Sequence, residues 1–76
     1  MLKVEKDQVV ILLKEQVEGL GEVWSVYKSG DGCPLIFCAD TQKDALDHMH
    51  HLGLKLTKHS KYYKLQKKWN EYLNNN

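Results

Sequence analysis

Apolar residues fall in five blocks along the chain, and the spacing within each block predicts an element. In the first, Val9, Val10, Leu12, Leu13, Val17 and Leu20 lie within about 160° of arc on a helical wheel, with Lys14, Glu15 and Glu18 on the other side. This predicts a helix over residues 4–19 that Gly19 or Gly21 terminates, with Lys14 and Glu18 at i,i+4 adding support. A buried strand over residues 9–13 competes with it, because five consecutive apolar residues, three of them β-branched, carry no periodicity that separates the two. Ile11 falls off the helical stripe, so it is either partly exposed or a contact for something else.

The second and third blocks, residues 22–28 and 34–39, are dense in β-formers and flank Ser29-Gly30-Asp31-Gly32, which supplies the positive-φ residues of a hairpin turn. Trp24 and Val26 fall on one face of this ribbon and Val23 and Tyr27 on the other, so both faces call for cover. The fourth block predicts a helix over residues 41–52. Asp40 or Thr41 caps it, Thr41 and Asp44 form an approximate capping box, and Gly53 at C′ pairs Met49 with Leu54 in a Schellman ending. The fifth predicts an amphipathic helix over residues 60–73, with Tyr62, Leu65, Trp69, Tyr72 and Leu73 inward and Lys61, Lys64, Lys67 and Lys68 on its back.

These blocks assemble into one small α+β domain spanning residues 1–76, in the order α-β-β-α-α, with an antiparallel β-hairpin packed against helices. At 76 residues such a domain sits near the lower size limit for unaided folding, which keeps oligomerisation or a partner in view. With 42% hydrophobic and 28% charged residues the composition is that of a globular chain. There is no apolar run of membrane-spanning length and no secretion signal, so a cytoplasmic protein with two reduced thiols is expected, with no membrane association.

Strand, turn, strand and a Thr41-capped helix with Ala45 at its first inward position resemble the small ββα units of many short bacterial and phage proteins, over residues 23–53. All eleven cationic residues are lysine, and with the asparagine end this points to A+T-rich coding, as in a low-GC bacterium or its phage. Charge is segregated. Residues 1–47 carry five lysines against nine acids, net −4, and residues 48–76 carry six lysines against one acid, net +5.

Three chemistries compete with plainer roles for the same residues. Zinc binding by Cys33, Cys38, His48 and His51 is a lesser alternative, because residues five apart on a strand face opposite ways and no further histidine follows His51 at finger spacing. Buried thiols and a solvated histidine flank explain these positions more simply. Nucleophilic catalysis would need a cysteine beside an oriented histidine in a cleft, and no signature supports one; a non-enzyme without cofactor is expected. Lys61, Lys64, Lys67 and Lys68 could follow a nucleic-acid backbone, though without arginine there is no bidentate base readout.

The preferred expectation is a protein interface, since more aromatic surface is present than one small core absorbs. The chain is thus expected to be a small non-catalytic binding protein, phage- or prophage-encoded, that regulates or inhibits a protein partner through Trp24, Tyr27, Tyr63 and Trp69. A homodimer is the self-paired version, and nucleic-acid binding is the runner-up.

Overall fold

The run from Val9 to Val17 is a strand, not the helix expected over residues 4–19. The computed structural model describes residues 4–75, and their order is β1 (Val9–Val17), β2 (Gly21–Lys28), β3 (Leu35–Ala39), α1 (Gln42–Leu52), β4 (Lys55–Leu56) and α2 (Tyr63–Asn74). The expected order α-β-β-α-α is therefore replaced by β-β-β-α-β-α. The physical reason lies in β1 itself. Val10 and Leu12 point into the core while Val9, Ile11 and Leu13 point the other way, so an unbroken apolar run serves both faces of a sheet. Gly19 and Gly21, at φ of 87° and 77°, shape the β1–β2 turn, in which the Leu20 amide donates to the Val17 carbonyl. Both a helix stop and a hairpin turn use positive φ, and here it is the turn.

The four strands form one mixed sheet in the order β3-β2-β1-β4. β1 pairs antiparallel with β2 from Val10 opposite Lys28 to Val17 opposite Gly21, and β2 pairs antiparallel with β3. β4 adds a short parallel rung on the other side of β1, Val9 with Lys55 and Val10 with Leu56. In the β2–β3 ladder Tyr27 faces Leu35 and Val26 faces Phe37, which leaves Ile36 as the extra residue of a bulge. The bulge lets the consecutive Ile36 and Phe37 both pack against the core.

Helix α1 keeps both of its expected ends. Thr41 Oγ1 accepts from the Asp44 amide, and Gly53, at φ 71°, closes the helix while the Leu54 amide donates to the Met49 carbonyl. Its buried residues, Ala45, Leu46 and Met49, meet Val10, Leu12, Trp24, Val26, Leu54 and Leu56 in the core. Helix α2 is seated differently from its apolar wheel. Gln66 is its buried residue, while Leu65 and Tyr72 of the expected inward stripe are exposed.

Polar contacts set this rotation. The Gln66 amide accepts from Leu56 N–H and donates to the Leu54 carbonyl, both at 3.0 Å, occupying the outer edge of β4 as a paired strand would. Trp69 Nε1 donates to Asp47, and His50 Nδ1 shares a hydrogen bond with Asn70 Oδ1, so α1 and α2 are pinned to each other. The result is a small two-layer α+β domain with a Cα radius of gyration of 12.2 Å, close to the roughly 11 Å expected of a folded chain this long. The hairpin is flanked by helices on one face only.

Candidate partner-binding surface

Because both helices lie on one face, the opposite face of the sheet is left with the outward side chains of three strands. From β1 these are Val9, Ile11, Leu13 and Val17, and Leu35 of β3 adds a fifth aliphatic group; all five are more than a third exposed. The centre of this face is closed by its own neighbours. Val23 and Ser25 of β2 are buried there, beside Tyr27.

Tyr27 donates its phenol to Glu15 across the β1–β2 ladder. The hydrogen bond from Tyr27, then one from Ser25, holds the Glu15 carboxyl below its ordinary range, and the same carboxylate, with burial, pushes the Tyr27 phenol up. A depressed carboxylate contributes stability above its unfolded value and loses it as pH falls through the folded one. A raised phenol contributes below about pH 10 and loses it as pH rises through its folded value. The pair therefore supports the fold between these limits. Tyr27→Phe should return the Glu15 carboxyl toward the ordinary range, seen as an upward shift of its side-chain carbonyl titration by NMR.

The edge of β1 is the second feature. Ser29 N–H donates to the Val9 carbonyl, so Val9 and Ser29 form a hydrogen-bonded pair, and the odd-numbered residues of β1 spend their backbone groups on β2. Even-numbered residues turn theirs the other way, as the Lys55 amide bonded to the Gln8 carbonyl shows. Beyond Val10 no strand among the described residues pairs with this edge, which leaves the N–H and C=O groups of Leu12, Lys14 and Gln16 facing outward.

After β4 the chain crosses the helix side of β1 and brings the Tyr62 ring edge-on to Trp24, with centroids 5.4 Å apart. A groove of about 540 Å³ opens between the β1 edge and this crossing segment. Ile11, Leu12, Leu13 and Tyr62 give it apolar walls, Lys14 and Lys61 its ammonium groups and His59 an imidazole; no carboxylate belongs to the described lining residues, and Glu22 of β2 pairs with the Lys14 ammonium at 3.3 Å.

The aromatic residues expected to anchor a partner are spread over the molecule. Trp24 is 9% exposed and belongs to the core, with the Lys14 ammonium 5.9 Å from its ring. Tyr27 lies half-buried on the helix-free face. Tyr63 is half-buried at the start of α2, in a shallow depression of about 240 Å³ with Lys55 and Lys67. Trp69 is half-buried between Asp47 and a stacked Tyr72. The structure does not bring these four together. Lys61, Lys64, Lys67 and Lys68 are all exposed, the first just ahead of α2 and the rest on it.

The cysteines and histidines are also dispersed. Cys33 sits in the β2–β3 turn with its thiol on the Gly30 carbonyl, and Cys38 lies on the helix-free face 3.4 Å from Ser25 Oγ. His48 packs edge-on against Phe37 on the helix side, and His51 is exposed. Among the described residues no group of three or more histidine, cysteine or acidic side chains is placed to hold a metal ion. Nor is any helix among them long and apolar enough to cross a membrane.

Leu13, Leu35 and the β1 edge were not singled out from the sequence. Their signal was the unbroken apolar run at residues 9–13, which places large side chains on both faces of a strand. Comparison with known proteins finds no matching family model, no similar curated protein and no similar solved structure.

Proposed function

We propose that this chain is a small non-catalytic binding protein that regulates or inhibits a protein partner through the helix-free face of its sheet and the adjoining β1 edge. One observation carries this reading. Five large aliphatic side chains stand exposed on a single sheet face, beside backbone groups that no strand among the described residues uses. Scattered apolar side chains need no partner, but an aliphatic row next to an open strand edge is a surface that associates. Tyr27, held by Glu15, gives this face a rigid aromatic contact, whereas Trp24 supports it from the core.

The test is a photoreactive side chain at Leu13, compared with one at the exposed Glu71 of α2, in a lysate of the source cells. Adducts with other proteins from position 13 and not from position 71 support the reading. Adducts with a second copy alone make the chain a homodimer through this face. Equal labelling from both positions, or none from either, overturns it.

The exposed lysines favour a second reading, a nucleic-acid contact along α2. It predicts that DNA or RNA shifts the amide signals of residues 55–72 at low salt and that added salt abolishes the shifts.

A further inference from the structure

The occupant of the groove follows from its chemistry. Its floor is a strand edge that offers backbone N–H and C=O groups at Leu12 and Lys14, continued by those of Gln16 beyond the groove, at the two-residue spacing by which a neighbouring strand pairs. A ligand that satisfies such a row must present a peptide backbone in extended form, because nothing else repeats donors and acceptors at that interval. The walls add the side-chain requirement. Leu12 and Tyr62 lie toward the helix side and Ile11 and Leu13 toward the open face, so the ligand needs apolar groups. Lys61 brings an exposed ammonium and Lys14 a second that Glu22 pairs at 3.3 Å, and with no carboxylate among the described lining residues these call for an acidic group beside Lys61.

We propose that an extended acidic-apolar peptide segment of a partner protein adds to the outer edge of β1 as a fifth strand, in line with β4. The proposal rests on the protein-partner reading above and names the partner's recognition element. β4 shows how the site is kept open. It pairs with β1 only at Val9 and Val10, then leaves at Thr57, and its own outer edge is closed by the Gln66 amide. The next stretch of β1 is thereby freed, while the edge beside it cannot template further pairing. A second copy fits less well. Two-fold pairing through β1 would set the same basic lining against itself.

The probe is a blocked octapeptide of alternating glutamate and valine, titrated into isotope-labelled full-length chain. Saturation should slow hydrogen exchange of the Leu12, Lys14 and Gln16 amides by at least about tenfold, as expected for amides drawn into a ladder. N-methylation of alternate peptide residues should abolish the effect. Lys61→Glu should weaken binding about 3–5-fold, the scale of an exposed ion pair, and Lys43→Glu on α1 should not.

Equal binding of a lysine-valine octapeptide overturns the proposal, as does absence of protection at about 1 mM peptide, the weak limit of a specific contact. Protection of the same amides by an oligothymidylate, or by raised protein concentration without peptide, overturns it in favour of nucleic acid or a second copy. Hetero-adducts from position 13 with these three amides unprotected would retain the partner reading and remove strand addition.

Discussion

Gln66→Leu should destabilise the chain by about 2–4 kcal/mol, although it replaces a polar residue by an apolar one in a buried position. The Gln66 side chain is 5% exposed, and its amide satisfies the Leu56 N–H and the Leu54 carbonyl, which belong to residues only 5% and 2% exposed. Removing it leaves a donor and an acceptor without partners, at about 1–3 kcal/mol each, and the extra apolar burial of leucine offsets only part of that. Urea unfolding measures the loss. Faster exchange of the Leu56 amide localises it, and a cost below about 0.5 kcal/mol would show that water replaces the amide without penalty.

Gln66→Glu sharpens the expectation. The ionised side chain still accepts from Leu56 but sets negative charge against the Leu54 carbonyl, so protonation is favoured in the folded state. A raised folded pKa brings stability below the ordinary glutamate value, near pH 4.3, and loses it as pH rises through the folded value. The deficit relative to the parent chain should therefore be smallest in acid.

The same contact separates what was legible in the sequence from what was not. Residues 22–52 read correctly as strand, turn, strand and helix because each end carries a local chemical signal. Gly30 and Gly32 have the positive φ of the turn, Thr41 caps α1, and Gly53 ends it. At β1 the local signals were ambiguous in a definite way. Its run of five consecutive apolar residues, Val9 to Leu13, suits a buried helix or a strand, and Gly19 suits a helix stop or a hairpin.

β4 has no local signal at all. Two residues become a strand because Val9 and Val10 lie alongside them and Gln66 closes their other side. The wheel for α2 failed for a related reason, in that it assigns an amide to solvent, whereas Gln66, Asn70 and the Trp69 indole are the groups that dock the helix. The candidate surface inherits this limit. Ile11 lies off the helical stripe and Lys61 is one of the four lysines of the basic run, but the groove between them exists only once β4 stops short along β1.

Met49→Ala should have the other large effect. Met49 is fully buried where α1 meets the sheet, among Val26, Ala45 and Leu54, and its carbonyl takes the Leu54 amide that closes the helix. Truncating a buried methionine costs about 2–5 kcal/mol, from lost burial and from the cavity left behind. A chain this small has about 4–11 kcal/mol to lose. The melting temperature should fall by on the order of 10–30 °C.

Two companion variants on α1 test whether packing is responsible. Met49→Leu keeps the volume and should cost less than about 1.5 kcal/mol. Leu52→Ala removes a side chain already 38% exposed and should cost less than about 1 kcal/mol. If Leu52→Ala proves as damaging as Met49→Ala, helix propensity cannot be the cause, because alanine is the better helix former at both positions. The apolar seam would then continue past Met49 to Leu52, at the end of α1.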